Sequence, residues 1–174
     1  MRRSTIRICL VVVGALHFGL PPAAGQLAPS AFPALPQAIR DELERRQCSI
    51  PQVPSDTTPQ NVVQGHFRRS TQVDWAVLCA VHGYSSILVF WNGAAPRHPS
   101  EVAVATDAEY LQTVAGGPPI FARTIALEDA ARIPQPQPVP ITHDGIRNLG
   151  PGKASLIYYW DDRRDKWVTL TSGD

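Results

Sequence analysis

Three side chains have the chemistry for proton transfer: His143 and Asp144, adjacent in the run His143-Asp144-Gly145, and His66, far away along the chain. An imidazole titrates near neutral pH and serves as a general base, and a nearby carboxylate orients or charges it. A small hydrolase would use His143 and Asp144 in this way, with His66 assisting, provided the three meet in one concave pocket. The same tripeptide also reads as an Asp-Gly turn with an exposed histidine beside it. The turn is preferred, because neighbouring residues of an extended chain point to opposite sides. His82 and His98 have no partner at diagnostic spacing. The chain carries no Gly-x-Ser-x-Gly, Ser-x-x-Lys, His-Glu-x-x-His or phosphate-loop pattern. No residue is assigned as catalytic on this basis, and no cofactor is implied.

The second chemistry belongs to Cys48 and Cys79. Cys79 lies inside the apolar run 73–91, "VDWAVLCAVHGYSSILVFW", whereas a reactive thiol needs an exposed element end near a base. A metal centre needs further ligands at short spacing, and neither Cys-x-x-Cys nor His-x-x-x-His occurs. The remaining reading is a disulfide, provided the compartment is oxidising. It would close a loop of about 31 residues, worth roughly 3.5–4 kcal/mol on the chain-entropy account.

The N-terminus supplies the compartment. Arg2, Arg3 and Arg7 precede an apolar run of about 13 residues, 8–20, and then a Pro/Ala/Gly stretch. This is the layout of a secretory signal peptide, too short for the roughly 20 residues of a membrane span. Ala23 and Gly25 suit positions −3 and −1 of a cleavage site. Residues 1–25 are therefore read as the leader, and the mature protein as exported, periplasmic or extracellular, with no stable membrane insertion. Cys9 belongs to the leader. Without its three arginines the chain has 13 basic and 15 acidic residues, scattered rather than clustered. That balance gives no electrostatic footprint for nucleic acid; the partner is an envelope protein or a small ligand of unknown identity.

The elements that position these groups follow from pattern. Residues 26–35 form a proline-interrupted, irregular arm, and a single domain of 36–174 follows. A short helix starts at Pro36 or Gln37, with Ile39 and Leu43 on one face. Arg40/Glu44, Asp41/Arg45 and Glu42/Arg46 are spaced to pair along its exposed side. "NVVQGHF" is a strand, and the run 73–91 is a hairpin of two strands turning at His82-Gly83. Its faces, Trp75, Val77 and Cys79 against Ala76, Leu78 and Ala80, are both apolar, which predicts central strands covered on both sides. Asp107 is expected to cap a helical turn, and 120–134 to split near Ala126 into strand and helix. Residues 134–140, "PQPQPVP", are an extended connector. A second hairpin, 154–160 and 166–171, closes the chain around a charged tip, with Trp160 facing Trp167. The four tryptophans suit a sugar or peptide groove, but core packing and sheet pairing are the preferred reading. The fold class expected is α+β: one domain, a mainly antiparallel sheet with short helices packed on one face.

"GHFRRSTQVDWAV", residues 65–77, resembles one worn copy of the FG-GAP or VCBS repeat, which pairs a calcium loop with a strand; Gly65, Phe67, Asp74 and Val77 match. His66, Arg68 and Ser70 stand at the family's other ligand positions. Calcium prefers several carboxylate oxygens, so Asp74 is a metal ligand only if this degenerate loop still functions. The local implication is strand, loop, strand. The mature layout as a whole resembles a group of uncharacterised exported bacterial proteins, which implies no activity. Together these readings favour a small disulfide-stapled, non-catalytic binding or accessory domain of the cell envelope, with a hydrolase using His143 and Asp144 as the alternative.

Overall fold

Two consecutive strands with apolar side chains on both faces require cover on both sides of one sheet. A computed structural model of the chain describes residues 25–54 and 58–171; the expected signal peptide, apart from Gly25, lies outside the described residues. The strands are β1 (Gln26–Leu27), β2 (Ile50–Pro51), β3 (Val62–Gly65), β4 (Asp74–Val81), β5 (Tyr84–Phe90) and β6 (Ser100–Thr106), then β7 (Leu111–Gln112), β8 (Ile120–Phe121), β9 (Thr124–Glu128), β10 (Gly145–Leu149), β11 (Leu156–Asp161) and β12 (Lys166–Thr171). One α-helix, α1 (Gln37–Arg45), lies between β1 and β2. The strands form two four-stranded sheets, β3-β4-β5-β6 and β12-β11-β10-β9, and two small ribbons, β1-β2 and β7-β8. Every pairing is antiparallel.

The alternation sorts side chains into three apolar layers. Val77, Cys79, Leu88 and Phe90 on the outer face of the first sheet pack with Phe32, Leu35, Ile39 and Leu43 of the N-terminal segment and α1. Ala76, Leu78, Ile87 and Val89, on the opposite face, pack with Ile125 and Ile146 of the second sheet. The second sheet's far face, Ile157, Tyr159 and Leu170, is covered by Ile133 and by Val139 of the proline-rich connector that follows it. Burying a side chain such as Leu43 or Ile146 contributes about 1.5–3 kcal/mol each.

Mostly antiparallel sheet is what the sequence predicts, but the expected single sheet is two, and the short helices reduce to α1. The other helical pieces among the described residues are 3-10 turns of three or four residues. Helix α1 is fastened at its end by the Cys48–Cys79 disulfide, with Cα atoms 5.4 Å apart. Of its three expected ion pairs, Glu42/Arg46 forms at 2.8 Å, and Glu42 takes Arg45 as a second partner. Arg40 instead donates to the carbonyls of Pro33 and Leu35, at 3.0 and 2.7 Å, closing the turn that precedes the helix.

Several local expectations are corrected. The Asp-Gly turn does not exist: Asp144 leads into β10, which lies inside the second sheet. Gly145 is needed for space, because a Cβ there would stand 2.6 Å from Cγ2 of Ile157. The strand β9 runs on to Glu128, past the expected break at Ala126, since its register with β10 is unbroken from Thr124 to Glu128. The cap near Asp107 is Thr106, whose hydroxyl and amide both donate to Glu109 Oε1, at 3.0 and 3.3 Å. The 73–91 hairpin turns as expected, with positive φ at His82 and Gly83. Trp160 and Trp167 are cross-strand partners with rings 5.4 Å apart.

Candidate functional site

The topology brings His66 and Asp144 together and leaves His143 elsewhere. His66 follows β3 and Asp144 precedes β10. The amide of His66 donates to Asp144 Oδ2 at 2.9 Å, its Nδ1 lies 3.2 Å from the same oxygen, and the amide of Asp144 donates to the carbonyl of His66 at 3.0 Å. Asp144 Oδ1 accepts from the amide of Ala130 at 3.3 Å. A carboxylate held against Nδ1 keeps a proton there and leaves Nε2 as the basic nitrogen of the ring. The pair borders a concavity of about 230 Å³ with Gln64, Val73 and Leu127. These neighbours carry no hydroxyl or thiol, so the chemistry available is proton transfer to or from a bound water or ligand.

His143 is buried and stacks flat on Tyr159, ring centres 4.2 Å apart. Its Nδ1 donates to the carbonyl of Asp144 at 3.0 Å. Its side chain lines a different hollow, with Pro140, Thr142, Tyr159 and Asp161. The ring is thus core material in the layer under the connector, contrary to the exposed histidine expected beside a turn.

Asp74 is fully buried at the start of β4. Its Oδ1 accepts from Gln72 Nε2 at 2.6 Å and the Asn92 amide at 2.8 Å, and its Oδ2 from the Arg68 amide at 3.0 Å. This is the arrangement of a loop-fixing carboxylate, with both oxygens occupied by N–H donors. The side chains of Arg68 and Arg69 turn away to Asp162, at 3.6 and 3.4 Å. Among the described residues no group of three or more His, Cys, Asp or Glu is placed to hold a metal ion. Arg68 also lies 5.8 Å above Trp91 and Trp160, which with Trp167 form one aromatic cluster. Trp167 donates to Ser100 Oγ at 2.8 Å, so three of the four tryptophans join the ends of the two sheets.

Another concavity, about 270 Å³, is a groove that none of these residues enters. Helix α1 and the segment before it cover the outer face of the first sheet over β4 and the Leu88–Phe90 end of β5, leaving Tyr84 of β5 and Val104 of β6 open. Tyr84, Ser86 and Leu88 of β5 share that face by the two-residue period of a strand, and Ser86 and Leu88 form the floor with Cys79. Tyr84 and Val104, at the lips, are 57% and 63% exposed. Arg46 stands at one end, its Nε on Glu42 Oε1 at 2.8 Å and its Nη2 on the carbonyl of Arg97. Glu101 stands on β6, accepting from Ser86 Oγ at 2.6 Å. Hydrogen bonds from Arg45, supported by Arg46, bring the Glu42 carboxyl down to about 2 against the opposing effect of burial, so the base of Arg46 is fixed at neutral pH.

Sequence reasoning missed one more residue. Arg123, fully buried, donates to Asn148 Oδ1, Ser85 O and Ser85 Oγ, each at 2.9 Å, and to Ala103 O at 2.6 Å. Its partners are neutral oxygens, three at the bulge between β5 and β6, where Ala103 has φ of 58°, and one on β10. Burial lowers its pKa from the ordinary arginine value, against the raising influence of Tyr110, Tyr158, Asp107 and Glu109. No local pattern in "IFARTIALE" distinguishes this arginine from a solvated one; only the stacking of the sheets does.

Comparison with protein-family models, with curated proteins and with solved structures finds no match to the chain. No helix of the described residues is long and apolar enough to cross a membrane. The site must therefore be read from its own chemistry.

Proposed function

We propose that the protein is a small exported binding module of the cell envelope, non-catalytic, whose ligand face is the groove over β5 and β6. The observation that carries this reading is the half-covered outer face of the first sheet: α1 buries one side of it and leaves Tyr84 and Val104 open beside Arg46 and Glu101. An apolar floor with a few placed polar groups is the usual construction of a ligand site. Export is supported by the leader composition and by the Cys48–Cys79 disulfide, which an oxidising compartment maintains. The likeness in layout to exported bacterial proteins belongs to the same reading.

Isotope-edited NMR against a panel of small molecules and short peptides tests it. Binding should shift the amides of Tyr84, Ser86, Leu88 and Val104, and Val104→Asp should abolish binding while leaving the melting temperature within a few degrees. Shifts centred on His66 and Asp144, accompanied by turnover of a compound, would support the competing hydrolase. That second reading rests on the His66–Asp144 contact at 3.2 Å beside its own concavity. Export has a separate check: fractionation with N-terminal sequencing should place the mature start at Gln26.

A further inference from the structure

The two charged groups of the groove pose a chemical problem that narrows the ligand. Arg46 Nη1 makes no hydrogen bond with any described residue, whereas Nε and Nη2 are engaged by Glu42 and Arg97. Glu101 uses Oε1 for Ser86, and no described cation lies within ion-pair distance of it. Both charges line the same concavity without pairing with each other. A simple carboxylate entering the groove would find Arg46 but be repelled by Glu101, and a simple amine the reverse. A molecule carrying both charges satisfies both walls.

The register fixes where its apolar part goes. Leu88 pairs with Glu101, and Val81 with Tyr84, so Glu101 sits at the Leu88 end of the floor and Tyr84 with Val81 at the other. Tyr84 to Leu88 spans about 14 Å at the rise of a strand. The groove's 270 Å³ falls just under the ~300–1,000 Å³ of sites for drug-sized ligands.

We infer that the groove binds a free α-amino acid with an apolar side chain, the carboxylate on Arg46, the ammonium on Glu101, and the side chain over Leu88 toward Tyr84 and Val104. This deepens the binding reading proposed above and rests on it. The zwitterionic head is the smallest group that carries both charges, and the volume holds a single residue of leucine or phenylalanine size.

The test is an NMR and calorimetric titration of the protein with L-leucine and L-phenylalanine, and in parallel with N-acetyl-L-phenylalanine, which lacks the ammonium, and L-phenylalaninamide, which lacks the carboxylate. The free amino acids should shift Leu88 and Val104, and each blocked analogue should bind at least tenfold more weakly. Glu101→Gln should erase the penalty for acetylation, a result that a merely destabilised fold does not give. Val104→Trp, which fills the groove without touching either charge, should abolish binding. Blocked and free compounds binding equally in the groove would overturn the head-group assignment and leave the groove itself standing. Amino acids failing to bind while an unrelated compound shifts the same amides would do the same. No compound shifting these amides would overturn both the assignment and the groove reading.

Discussion

Asp144 and His66 are joined by two backbone-anchored hydrogen bonds and one side-chain contact: His66 N to Asp144 Oδ2 at 2.9 Å, Asp144 N to His66 O at 3.0 Å, and Nδ1 to Oδ2 at 3.2 Å. The carboxylate thus clasps the end of β3 to the start of β10, across the two sheets. Asp144→Ala strips the amides of His66 and Ala130 of their acceptor and should cost about 1–3 kcal/mol in urea denaturation. His66→Ala keeps both main-chain bonds and should cost under about 1 kcal/mol, because its ring is half exposed. Equal costs would show that the imidazole, not the backbone, carries the clasp.

Asp74 has three N–H donors on two oxygens, which makes charge removal more expensive than a loop carboxylate usually suggests. Asp74→Asn sets an NH2 group against one of those donors and should cost about 1–2 kcal/mol, and Asp74→Ala, which removes every acceptor, about 3 kcal/mol or more. Millimolar calcium should leave the melting temperature of the wild type unchanged, since a ligand of the folded state raises it by mass action. A calcium-dependent rise reversed by chelator would show that the loop still binds the ion.

Glu42 sets a pH dependence. Its folded pKa of about 2 lies below the ordinary value of 4.5, held down first by hydrogen bonds from Arg45. The group therefore adds stability that is complete above pH 4.5 and is lost as pH falls through about 2. Arg45 is 54% exposed, so solvent screening reduces the contribution to about 1 kcal/mol. Melting curves from pH 7 to pH 2 should show this loss in the wild type and not in Glu42→Gln, and high salt should shrink the difference.

Arg123 is expected to be among the most sensitive positions in the chain. Arg123→Met removes four donors and leaves the buried oxygens of Ser85, Ala103 and Asn148 without them, for a cost of about 3–5 kcal/mol. Lysine keeps the charge but not the planar fork, and should recover only part of that loss. Because its acceptors are neutral, stability in 1 M salt should change equally in wild type and variant. A cost below 1 kcal/mol for methionine would mean that the bulge holds its shape without the arginine.

Reduction of the Cys48–Cys79 bond should destabilise the fold by about 2–5 kcal/mol, and Cys48→Ser and Cys79→Ser should each reproduce the loss. Limited proteolysis should then cut first near α1, which has only Ile39 and Leu43 fully buried to hold it.

The elements that alternate strongly were legible without coordinates. Between residues 74 and 90 two near-continuous apolar runs, with His82-Gly83 in the middle, specify a hairpin buried on both faces, since side-chain direction along a strand is a local property. Ile39 and Leu43 mark α1 for the same reason, and two cysteines behind a leader-like segment specify their pairing. The strand β10 escaped because Gly145, Arg147 and Asn148 break its pattern: the glycine is there for Ile157, Asn148 for Arg123, and both reasons lie on other strands. His66 and Asp144 are 78 positions apart, and which histidine meets the carboxylate depends on how one sheet lies on the other. The groove likewise exists because α1 and the segment before it cover β4 and part of β5 and leave Tyr84 and Val104 open. Periodicity records that a face is buried or open; what meets it is decided by packing between segments remote in the chain, and the local sequence carries no term for that distance.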